Sequence, residues 1–202
     1  MGHRLRLPGT RDVRATLDGD EDASACVVAC PPHPRMGGDR TDTRLRAVSD
    51  ALGERDVACL RIDYGPWDEA RGEQTDVRTA LEWARGRYAG VGLFGYSFGG
   101  SVALLAAGAA FADDASETPD AVSVLAPAAT IEGLDAAGAV ADIDCPLQAV
   151  SGERDDTVDS LPIAERVRER GGAVERLGAD HFYVGQHERV GDLVAAFLTE
   201  YL

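Results

Sequence analysis

Residues Gly95-Tyr96-Ser97-Phe98-Gly99-Gly100 set a serine between glycines in a G-x-S-x-G pentad. The run before it, Val91-Gly92-Leu93-Phe94, is short and apolar, as a buried strand would be. The run after it, Ser101 to Ala107, is small and helix-favouring. A serine at such a strand-to-helix junction is a nucleophile elbow, with its hydroxyl raised above the sheet on a strained turn. Gly95 and Gly99 are the residues that let strand and helix approach closely. The backbone N–H of Phe98, at the start of the helix, then points toward any oxyanion formed there.

A serine hydroxyl is a weak nucleophile and needs a base, oriented by an acid. In this arrangement the chain order is Ser, then Asp or Glu, then His. Of the four histidines only His181 and His187 follow Ser97. His181 comes just after the strand-like run Ala173 to Leu177, on a loop at a strand's C-terminal end, where open α/β sheets carry their chemistry. His187, among Gln186, Glu188 and Arg189 at the start of the last helix, faces solvent on this reading. The base is therefore His181. The acid comes from Asp155-Asp156, beyond the strand-like run Cys145 to Val150. The two are adjacent and cannot both face one imidazole.

A second oxyanion donor is expected from the loop after the third strand, Cys30-Pro31-Pro32-His33-Pro34-Arg35-Met36-Gly37-Gly38. Its prolines stiffen the backbone and lack an N–H, whereas Gly37-Gly38 permits close approach. The expected donor is the backbone N–H of Arg35, with Met36 next. His33 receives no chemical role. The aromatics Tyr96, Phe182 and Trp67 flank these positions; they can line an acyl pocket or simply pack.

Taken together these segments resemble the α/β-hydrolase superfamily, near the small dienelactone-hydrolase-like serine hydrolases without a cap domain. The resemblance runs from Pro32-His33-Pro34-x-x-Gly37-Gly38 to the last helix. It includes Gly152-Glu153-Arg154-Asp155-Asp156-Thr157-Val158 against the family's G-x-x-D-x-x-V, and so implies Asp155 as the acid. Ala179-Asp180-His181-Phe182 matches the family's histidine context. One loop departs: Asp63-Tyr64-Gly65-Pro66-Trp67-Asp68-Glu69 replaces the Arg-Gly-x-Gly-x-Ser-x-Gly turn of many relatives. The resemblance implies a hydrolase of a small ester or thioester, acting through an acyl-enzyme on Ser97, Asp155 and His181. The alternatives are a binding module without turnover on the same fold, or a peptidase or lipase.

The surrounding elements suit this chemistry. Apolar runs at 57–62, 91–94 and 121–125 alternate with helical patterns through Trp83 and Phe197, which predicts a mostly parallel sheet covered on both faces. Residues 1–202 read as a single domain. Arg11 to Leu17 alternates as an edge strand would. Residues 126–144 have room for a loop and a short helix but not for a cap, so the site should be open.

The chain carries 35 Asp plus Glu against 20 basic residues, all Arg, for a net charge of −15. Such a charge disfavours nucleic acid and anionic membrane surfaces as partners. A small-molecule substrate is expected, with no cofactor and no metal; oligomeric state is not legible. Residues 1–17 contain no long apolar run, so neither signal peptide nor span is expected and the reading is cytoplasmic. Cys26, Cys30, Cys59 and Cys145 lie in or beside strand-like runs and read as reduced thiols. Cys26 and Cys30 would stand about 13 Å apart along one strand, too far to bridge. A GC-rich genome accounts for the missing lysine but not for the acid excess, which fits a salt-rich cytoplasm. At about 1 M salt the screening length falls to roughly 3 Å and self-repulsion fades. The unfolding temperature is therefore expected to rise between low and molar KCl; a flat or falling curve would remove the halophilic reading.

Overall fold

Every candidate residue lies at or just beyond the C-terminal end of a parallel strand of an eight-stranded sheet. The computed structural model describes residues 2–202. Strands β1 (His3–Arg6) and β2 (Arg14–Asp18) come first, then β3 (Ala25–Cys30), helix α1 (Thr43–Gly53), β4 (Ala58–Asp63), α2 (Arg71–Arg85), β5 (Gly90–Tyr96) and α3 (Phe98–Ala112). Next come β6 (Ala121–Leu125), a small hairpin of β7 (Thr130–Ile131) and β8 (Leu134–Asp135), and the short α4 (Ala136–Ala139). The chain ends with β9 (Leu147–Gly152), α5 (Leu161–Glu169), β10 (Ala173–Leu177) and α6 (His187–Thr199). The sheet order is β1-β2-β4-β3-β5-β6-β9-β10, and all strands from β4 to β10 in that order run parallel.

Parallel strands need crossovers, and here the crossovers cover both faces. On one face Leu45, Val48 and Leu52 of α1 meet Val190, Val194 and Leu198 of α6 over the sheet. On the other, Val77 and Leu81 of α2, Val102 and Leu104 of α3, and Ile163 and Val167 of α5 form a second core. Covered twice, β3 needs no polar face, and its Ala-Cys-Val-Val-Ala-Cys is buried throughout. Helix α3 is apolar on nearly every side because α2 and α4 pack beside it and the sheet lies beneath it.

The edge strand expected over 11–17 is corrected. Arg14–Asp18 is a strand, but it lies second, between β1 and β4, with Ala15 and Leu17 buried. The edge is His3–Arg6, short and charged, which blunts pairing with other chains. The four cysteines are free; burial pushes the Cys59 thiol up to about 12, and Cys26 is likewise raised by burial. Among the described residues no helix is long and apolar enough to cross a membrane.

Candidate active site

Between β5 and α3 the backbone makes a turn that only small neighbours allow. A Cβ on Gly95 would collide with Gly99 O, and one on Gly99 with the carbonyls of Cys30 and Pro31. Strand β5, helix α3 and the end of β3 thus meet backbone to backbone. Ser97 takes the strain, at φ 55° and ψ −121°, a region that suits glycine far better than serine. Its N–H is held by Leu125 O at 2.8 Å, and its C=O accepts from Gly100 and Ser101 as α3 begins. Phe98 N–H, in the first turn, has no intramolecular acceptor among the described residues.

The loops after β9 and β10 are tied together and bring Asp155 to His181. Glu153 N–H donates to Leu177 O at 2.8 Å, and Arg154 N–H to Ala179 O at 2.9 Å. Gly152 is bare where a side chain would press on Ala179 O. Asp155 Oδ1 accepts from the N–H groups of Thr157 and Val158 at 2.9 and 3.2 Å, which leaves Oδ2 for His181 Nδ1 at 2.8 Å. His181 Nε2 lies 2.9 Å from Ser97 Oγ. With Nδ1–H donating to the carboxylate, Nε2 presents its lone pair to the hydroxyl. Asp155 and His181 side chains are 4% and 7% exposed, so water does not compete for their bond. Asp156 is exposed and His187 half-buried, its Nε2 3.2 Å from Phe182 O.

The Pro-rich loop does not behave as expected. Arg35 N–H donates to His33 Nδ1 at 3.2 Å, and Met36 N–H to His33 O at 3.0 Å. A single 3₁₀ turn over Pro34–Met36, closed by Gly37 at φ 84°, consumes both expected donors. Gly37 and Gly38 donate to Pro34 O and His33 O. Within 31–38 only His33 keeps a backbone N–H without an acceptor among the described residues. Burial pushes its imidazole below the usual histidine value, while Glu132 pulls the other way.

Ser97 and His181 open on a cavity of about 560 Å³, walled by Met36, Phe98, Ile131, Val158 and Phe182. Tyr96 lies at its floor, buried, its hydroxyl donating to His181 O at 3.0 Å and its ring under the Arg44 guanidinium. Burial raises that hydroxyl to about 12, which keeps it a donor. Phe182 is 54% exposed at the rim. Trp67 is not among the lining residues; it stacks on His33 instead, with ring centroids 4.7 Å apart. A larger hollow of about 830 Å³ near β1 and α1 contains none of these groups, and its Arg40 and Arg61 are paired with Asp63 and Asp18.

No family model matches the sequence, and no curated protein does either. Solved structures do. A serine hydrolase without a lid from Xanthomonas campestris superposes with a TM-score of 0.81 at 22% identity, over 100% of this chain and 95% of that one. The chain has the α/β-hydrolase fold. Dienelactone hydrolase from Anabaena variabilis matches over 100% and 98% of the two chains (TM-score 0.76, 19% identity). Est1E from Butyrivibrio proteoclasticus with ferulic acid bound matches over 98% of each (TM-score 0.81, 17% identity). In this fold the stretch between β6 and β9 holds the β7–β8 hairpin, α4 and a 3₁₀ turn over Val140–Asp142, and no lid.

Several cavity residues had escaped the reading of the sequence. Arg44 comes from the first turn of α1, and Ile131 and Glu132 from the small hairpin. None belongs to a local motif; only the topology carries them to Ser97. The strain at Ser97 has a measurable consequence. Ser97→Gly should be more stable than Ser97→Ala by about 1–2 kcal/mol, since glycine relieves a backbone cost of about 1–3 kcal/mol. Thermal unfolding of the two variants measures it, and equal midpoints would mean that the turn is unstrained.

Proposed function

We propose that the protein is a serine hydrolase that cleaves a small carboxylic ester or thioester through an acyl-enzyme. The observation that carries this reading is the unbroken hydrogen-bonded series Ser97–His181–Asp155, opening on a cavity without a lid. His181 Nε2 takes the proton of Ser97 Oγ as the oxygen attacks the substrate carbonyl. Asp155, oriented by two backbone N–H groups, holds the tautomer and stabilises the imidazolium. The C–O or C–S bond of the tetrahedral intermediate then breaks, and the leaving group departs with the proton from His181. Water, deprotonated by His181, next attacks the acyl carbon, and Ser97 leaves reprotonated.

The intermediate's oxyanion is received by the N–H groups of Phe98 and His33. This replaces Arg35 and Met36, whose N–H groups are already spent in the 3₁₀ turn. The apolar walls from Phe98, Ile131, Val158 and Phe182 suit a compact acyl group, aliphatic or aromatic. The ferulic acid held by Est1E lends support to an aromatic one. The fold serves many chemistries, so the reading rests on the site and not on the likeness.

The test is hydrolysis of short p-nitrophenyl esters in molar KCl by wild type and Ser97→Ala, with fluorophosphonate labelling in parallel. Turnover and labelling should both vanish in the variant, a loss of up to about 10⁶ in kcat. A folded wild type that neither turns over nor labels would refute the hydrolase reading and leave a binding module.

A further inference from the structure

Trp67 does not touch the cavity, yet it packs on the side chains of both residues whose N–H groups are free beside Ser97. Its ring stacks on His33 at 4.7 Å and 27°, and lies 5.6 Å from Phe98; His33 and Phe98 are themselves 4.8 Å apart. The Arg35 guanidinium lies 5.9 Å from the same indole ring. One indole therefore braces the Pro-rich loop against the start of α3.

The loop that carries the indole is itself held by its backbone. Asp76 of α2, fully buried, accepts the Gly65 N–H at 2.9 Å and pairs with Arg11, Nε to Oδ1 at 2.6 Å. Arg11 donates to Pro66 O at 2.5 Å. Glu73, also fully buried, accepts the Asp68 N–H at 3.0 Å. The backbone is thus pinned on both sides of Trp67. Gly72 is bare where the Arg11 guanidinium passes over α2. After Trp67 the chain turns back through Glu69 and Ala70, both left-handed at φ 51° and 66°. Two buried carboxylates and a strained turn are a high cost for an ordinary surface loop.

We propose that Trp67 is the positioning residue of the oxyanion hole: carried on a loop whose backbone is held on either side by Asp76, Arg11 and Glu73, it fixes the spacing between the His33 and Phe98 N–H groups. This rests on the hydrolase reading above. Oxyanion donors act only when they are already aimed at the charge that develops in the transition state. A brace of this kind should therefore act on kcat and leave substrate binding alone. It also gives a use to the loop Asp63 to Glu69, where the sequence departs from the turn of many members of the family it resembles.

The experiment is a double-mutant cycle on p-nitrophenyl ester hydrolysis, with Trp67→Leu, His33→Ala and both together, and with Trp67→Phe as the conservative variant. Losing one oxyanion donor costs about 10²–10³ in kcat, so Trp67→Leu, which loosens a donor without deleting it, should cost about 10–100-fold. KM should stay within about threefold, and Trp67→Phe should recover most of kcat. Because Trp67 positions the loop-side donor through the His33 ring that it stacks on, the losses should be less than additive in the double variant. An unchanged kcat, a loss confined to KM, or fully additive losses would overturn the proposal while leaving the hydrolase reading intact. A wild type without turnover would remove both.

Discussion

The close meeting of backbones around Ser97 is the constraint on which the rest of the site depends. Strand β5 must turn into α3 within one residue, and α3 must start against the carbonyls of Cys30 and Pro31. Only glycine at 95 and 99 leaves room for both. That crowding sets Ser97 in a sparsely populated conformation and lifts its hydroxyl out of the sheet. The same crowding sets the start of α3 beside the Pro-rich loop, so that Phe98 and His33 lie side by side. An ordinary turn would bury the hydroxyl or draw the two N–H groups apart.

A second layer of support comes from loops bound to one another rather than to the sheet. Backbone hydrogen bonds join the β9 and β10 loops, so Asp155 and His181 are held in register with each other. Tyr96, next to the serine, holds the carbonyl of His181 from below. Ser97, His181 and Asp155 come from three connections, yet each is referenced to its neighbour by at least one hydrogen bond. This is how a site built on loops reaches the precision that catalysis demands.

How much of this was legible in the sequence depended on how local each signal was. Ser97 declared itself because strand, glycine turn and helix are contiguous. His181 and Asp155 followed from chain order and from their places just beyond apolar runs, and the structure brings these three side chains together. The donors of the Pro-rich loop were not legible. Whether an N–H is free depends on a 3₁₀ turn closed by a left-handed Gly37, and residue types alone do not reveal it. Trp67 looked like a pocket residue because it is aromatic and near; in the fold its ring stacks on His33 instead, on a loop whose backbone Glu73 and Asp76 hold. Arg44 and Ile131 reach the cavity from elements far along the chain, and no periodicity could have announced them.

The most direct measurement is a crystal structure of the protein after reaction with a small alkyl fluorophosphonate. The account predicts a single bond from phosphorus to Ser97 Oγ. It also predicts the phosphoryl oxygen about 2.7–3.1 Å from the backbone nitrogens of Phe98 and His33. Phosphorus on another residue, or its oxygen turned toward Arg35 or Met36 with the 3₁₀ turn undone, would contradict it.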